Sequence, residues 1–151
     1  MLTLVAFALS AAAWGADPEV VAHWAARFAS EPECGQVVHN RLLAFEDQIP
    51  EEQRPDTLLA LWDTGDWMVR MHVRFAAEPR EGVEPTVAHA ALLLVVGAHD
   101  AGTLSRWLPR IPEAVLAQAL AAVRDRPDAD AIREAVAREA VTRESGTRGP
   151  R

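Results

Sequence analysis

The sequence predicts an all-α protein. From Asp17 onward, breaks at proline, glycine and capping residues divide the chain into helix-length segments, and apolar residues inside them recur near every 3.6 positions rather than alternating. Half of the residues are apolar and a quarter are charged, an ordinary composition for a folded globular chain.

The elements follow in order. "DPEVVAHWAARFAS" opens with Asp17 as N-cap and Pro18 in the first helical position, with Val20, Val21, Trp24 and Phe28 on one apolar stripe. "PECGQVVHNRLLAFEDQ" sets Val38, Leu42 and Phe45 on a common face before Pro50. "RPDTLLALWDTG" reads as a short helix capped around Asp56 and closed by Gly65, and a helix from about Asp66 to Ala77 follows. "EPREGVEP" is a loop broken at Pro79, Gly82 and Pro85. "TVAHAALLLVVGA" is apolar on every side, which suits a central buried helix capped by Thr86. "AGTLSRWLPRI" turns Leu104, Trp107 and Leu108 inward, "PEAVLAQALAAVRD" starts at Pro112, and the last helix turns Ile132, Val136 and Ala140 inward.

The chain has 151 residues, about one domain's worth, and a formal charge of -7 with arginine as its only strongly basic residue. An acidic surface disfavours binding to nucleic acid and attraction to an anionic membrane. Cys34 is the single cysteine, so neither an intramolecular disulfide nor a cysteine zinc cage can form within one chain. The first sixteen residues, "MLTLVAFALSAAAWGA", carry an apolar run followed by small residues, the pattern of a secretory leader with candidate cuts after Ala13, Gly15 or Ala16. That segment is shorter than the ~20 residues a membrane span needs, so no stable span is expected. The expected organisation is a leader over 1–16, a helical domain over 17–144 and a tail over 145–151, with the protein periplasmic or secreted. The alternative is an apolar N-terminal helix packed on a cytoplasmic protein.

Two segments match at a spacing of 46. "TLLALWDTGDWMVRMHVRFAA" aligns with "TLSRWLPRIPEAVLAQALAAV", superposing Thr57 on Thr103, Leu58 on Leu104 and Val69 on Val115. At 49, Asp17 and Val20 fall on Asp66 and Val69. With Asp66, Val69, Arg70, Val73 and Ala76 in the second helix, the segment resembles the HEAT-repeat family, whose units are paired helices recurring every ~40–47 residues. The resemblance, carried mainly by residues 57–124, implies a short array of antiparallel helix pairs that binds other proteins. An irregular helical bundle satisfies the same periodicity.

The stretch "GDWMVRMHVRFAAE" concentrates the remaining chemistry. Asp66, Arg70, Arg74 and Glu78 recur at steps of four, acid, base, base, acid, with spacing suited to ion pairs on a solvated face. Arginine also suits an acidic partner, because its planar donors match a carboxylate. The methionines and Phe75 belong on the packed side. Trp67 directly follows the Gly65-Asp66 turn, where a side chain is often exposed, and can anchor a partner. Trp24, Trp62 and Trp107 fall at inward positions.

Histidines at 23, 39, 72, 89 and 99 form no pair at metal-ligand spacing on one helix, and Cys34 with His39 or His99 with Asp100 are the closest local pairings. No phosphate loop, nucleophile elbow or metalloprotease motif is present, so no cofactor, metal or catalytic residue is expected. The leading expectation is a non-enzymatic protein-interaction module whose binding surface holds Trp67, Arg70 and Arg74. Its alternatives are a thiol- or histidine-dependent enzyme using Cys34 and a purely structural bundle.

Overall fold

A computed structural model describes residues 15–30, 46–79 and 81–147. Among them are seven α-helices and no strand. Packing gathers the chain into two compact units, residues 1–78 and 79–151, which divide at the start of the proline-rich loop.

In the first unit, α1 (Pro18–Ala29) begins where the Asp17 carboxylate accepts the Glu19 N–H at 2.9 Å, and it buries Val21, Trp24 and Phe28. Val20, one residue off that line, is only half-buried. Helix α2 (Arg54–Asp63) follows a 3-10 turn at Glu51–Gln53. That turn runs directly into the helix, so Gln53 is the N-cap and Asp56 lies inside the first turn instead of capping it. Burial pushes the Asp56 carboxyl above its ordinary value of 3.8. Five consecutive residues, Thr57 to Leu61, are buried. Gly65 takes a left-handed φ of 74°, a conformation glycine adopts without a Cβ penalty, and the chain reverses into α3 (Trp67–Ala77). The Asp66 carboxylate accepts the Val69 N–H at 3.1 Å and so supplies the missing partner of a first-turn donor. The three helices pack on one another in every pairing, and α3 contributes Val69, His72, Val73, Ala76 and Ala77 to their core.

The second unit is built around α4 (Val87–His99). Thr86 Oγ1 accepts the His89 N–H at 3.2 Å, and Ala88 and every residue from Ala90 to Gly97 are buried. Around it lie α5 (Ala101–Trp107), α6 (Glu113–Ala122) and α7 (Ala129–Thr147), all in contact with α4. Gly97 permits the closest approach. A Cβ built there would stand 2.3 Å from Leu104 Cγ, so Leu104 rests directly on the α4 backbone. Leu104, Trp107 and the following Leu108 are all buried. In the turn before α7, the buried Arg126 pairs with Asp128 through two contacts, at 2.9 and 3.4 Å.

Helix α7 departs from expectation twice. Ile132 is buried, but Val136 is half-buried and Ala140 exposed, because only the N-terminal part of the helix reaches the other helices' core. The helix also continues through residues 145–147, part of the segment expected as a tail. Hydroxyls there donate back along the helix, Thr142 to the Arg138 carbonyl at 3.0 Å and Ser145 to the Val141 carbonyl at 3.1 Å.

The segments that align at 46 are cut alike. Each runs as helix, break and helix, with Asp66 and its counterpart Pro112 both in the N-cap position. Thr57 and Thr103, Leu58 and Leu104, Leu61 and Trp107, and Val73 and Ala119 are buried in both.

Candidate interaction surface

Helix α3 divides cleanly by its 3.6-residue period. Its buried residues leave Trp67, Arg70, Met71, Arg74 and Phe75 on the opposite side. Trp67 is 68% exposed and Phe75 41% exposed, among the few large apolar side chains with such exposure. Phe75 was expected on the packed side; two positions past Val73, it has rotated away from the core. Met68, at the edge, and Met71, on the outer side, are half-buried. A tryptophan and a phenylalanine eight positions apart, flanked by two arginines, form an apolar and cationic stripe along two helical turns.

Arg70 does not turn to Asp66 as the step of four suggests. Its Nε donates to the Trp62 carbonyl at 2.9 Å, and its guanidinium carbon lies 4.7 Å from the Trp62 ring centroid. Trp62 sits in the last turn of α2, where its carbonyl also accepts the Gly65 N–H at 3.3 Å and has a second lone pair to offer. A cation at that end also meets the negative pole of the helix dipole. The arginine thus reaches back to the preceding helix and ties the turn between the two together. Trp62 is consequently half-buried beneath the guanidinium, not fully inward. Arg74, one turn further on, is half-buried as well.

Behind this face lies an aromatic ladder. Trp24 and Phe28 rings stand 5.5 Å apart, and Phe28 stands 5.8 Å from the ring of His72, which is fully buried in the core. His23 is exposed and meets Trp24 edge-on at 5.5 Å. In the second unit, His99 Nε2 lies 4.0 Å from Asp128 Oδ2, whereas Asp100 accepts the Thr103 hydroxyl at 3.0 Å, so His99 and Asp100 do not form the local pair that their adjacency suggests. Trp107 is buried, with the guanidinium carbons of Arg106 and Arg110 at 4.5 and 5.3 Å from its ring centroid. Cys34 and His39, the proposed thiol site, lie outside the described residues. No group of three or more metal-ligating side chains occurs among the described residues, and no described helix is long and apolar enough to cross a membrane.

Of the three sequence-predicted surface residues, Trp67 and Arg74 stand on the outer face, and Arg70 stands there with part of its donor set spent on α2. Phe75, the residue missed, follows from phase only once the buried side of α3 is known. No family model, curated protein or solved structure matches the chain.

Proposed function

We propose that the chain is a non-enzymatic protein-interaction module built from HEAT-like helix pairs and exported from the cytoplasm, and that the outer face of α3 binds an acidic segment of a partner protein. The observation that carries this reading is the 68% exposure of Trp67 on a face that also holds Phe75, Arg70 and Arg74. Tryptophan and arginine are the residue types most enriched where binding energy concentrates. A protein with net charge -7 repels acidic partners in general, so two arginines gathered beside an exposed tryptophan mark a local exception to that field. Arg70 is also held before any partner arrives, by the Trp62 ring and carbonyl, which lowers the entropy lost on binding. The matched break positions and buried positions of residues 57–77 and 103–123 support the HEAT-like pairing, and the apolar run and small residues of 1–16 support export.

A photo-crosslinking amino acid at position 67, used in the native host, identifies the segment that covers this face. Affinity for that purified segment is then measured with Trp67→Ala and Arg74→Glu, each checked for retained helicity. Trp67→Ala is expected to weaken binding by about 2 kcal/mol or more, roughly thirty-fold. Unchanged affinity in both variants sinks the proposal. Arg70→Glu is a poorer probe, because it also removes the contact that closes α2.

A further inference from the structure

Of the large apolar side chains exposed among the described residues, Trp67 and Phe75 share α3 with arginines, and Val83 shares the loop before α4 with glutamates. That loop, "EPREGVEP", carries three glutamates against one arginine. Glu81 and Glu84 are exposed, and Val83 between them is 63% exposed. Gly82 turns the chain with a left-handed φ of 76°, and no atom lies within 4 Å of a Cβ built on it, so the tip of the loop is open. The loop and the start of α6 form a groove of about 770 Å³ lined by Pro79, Val83, Pro85 and Pro112 together with both glutamates. Arg110 lines it too, with its guanidinium carbon 5.3 Å from the Trp107 ring centroid. Proline's fixed φ holds these walls in place before anything docks. Pockets of roughly 300–1,000 Å³ hold ligands of drug size, so a single indole enters with room to spare.

The two patches are complementary in chemistry. The α3 face offers aromatic rings and guanidiniums, and the loop offers proline rings, a valine and carboxylates. Aromatic surfaces receive proline-rich segments, and an arginine's planar donors match a carboxylate. A formal charge of -7 makes copies of the chain repel one another in general, and setting the arginine face against the glutamate loop reverses that sign locally. Both halves of the contact belong to one sequence, so two copies supply all of it.

We infer that the acidic segment bound by the α3 face is the 79–85 loop of a second copy of this chain. Trp67 of one copy enters the proline groove of the other, and Arg70 and Arg74 face Glu81 and Glu84 there. This rests on the reading of α3 as an interaction surface.

The test follows the chain purified from its own host by sedimentation equilibrium over rising concentration. It is compared with Arg74→Glu and with the double variant Glu81→Arg, Glu84→Arg, each checked for retained helicity. The parent is expected to self-associate, and each variant alone to do so at least about a hundred-fold more weakly, because like charges then meet across the contact. Mixed one to one, the two variants are expected to associate as the parent does: native face meets native loop, and reversed face meets reversed loop. A parent that stays monomeric at its highest soluble concentration overturns the inference. So do variants that associate like the parent, or a mixture that fails to recover. Photo-crosslinking from position 67 separates this inference from the broader reading, with a covalent dimer joined at the 79–85 loop expected. A crosslink to a different protein overturns the second-copy assignment and leaves α3 an interaction surface, whereas the absence of any crosslinked protein counts against both.

Discussion

Helices α3 and α6 occupy matching places in the segments that align at 46, yet they treat their outer faces differently. The core positions correspond in kind, Val73 with Ala119 and Ala77 with Val123, and the buried Val69 answers to a half-buried Val115. On the other side, Trp67, Arg70, Met71, Arg74 and Phe75 of α3 answer to Glu113, Leu116, Ala117, Leu120 and Ala121 of α6. Packing constrains the inward positions of a helix and leaves the outward ones free to differ. Function is therefore best sought where aligned helices disagree, and that criterion selects the α3 stripe without reference to any motif.

The contrast can be tested from its largest effect downward. Leu94, fully buried in α4, should lose about 2–5 kcal/mol of stability on Leu94→Ala, measured by urea unfolding. A loss well below that range would mean that α4 is not the centre of its unit. Gly97→Ala drives a methyl into Leu104 and is expected to cost about 1–3 kcal/mol in the same assay. The capping residues of the two units should respond alike, Asp66→Ala and Thr86→Ala each losing about 1 kcal/mol, because each leaves a first-turn N–H without its side-chain acceptor. Trp67→Ala should change stability by less than about 0.5 kcal/mol, since an exposed side chain leaves no cavity. A larger loss would make the tryptophan a packing residue and remove the contrast with α6.

The smallest effect concerns Asp56. Its folded-state pKa is raised by burial, so folding favours the protonated carboxyl, and the resulting stabilisation is present below the unfolded value and lost as pH rises through the folded one. The melting temperature of Asp56→Asn minus that of the parent should therefore grow as pH rises from about 3.8 toward neutrality. A flat difference would show that the carboxyl is not desolvated.

Much of this architecture was legible in the sequence because it depends on local chemistry. Asp17 and Thr86 cap as expected, Gly65 turns the chain, and the apolar run of α4 is buried from Ala90 to Gly97. What escaped depends on neighbours that spacing does not reveal. Arg70 had two available acceptors, Asp66 four residues before and the Trp62 carbonyl eight before; only the second comes with an aromatic surface for the guanidinium to lie against. Asp56 looked like a cap until the 3-10 turn extended the helix backward past it. Val136 and Ala140 hold the right phase, but α7 outruns the core that would cover them. At the candidate surface, the Gly65-Asp66 turn pointed to Trp67, whereas Phe75 required knowing which side of α3 the other helices occupy.

The uneven exposure of the tryptophans has an optical consequence. Trp24 and Trp107 are each 7% exposed, while Trp67 is 68% exposed at the first position of its helix. A water-borne quencher such as iodide therefore reaches Trp67 far more readily than either buried ring. With no tyrosine in the chain, ultraviolet emission is dominated by indole, and occupation of the α3 face registers as a fall in the quenchable fraction, with no label attached.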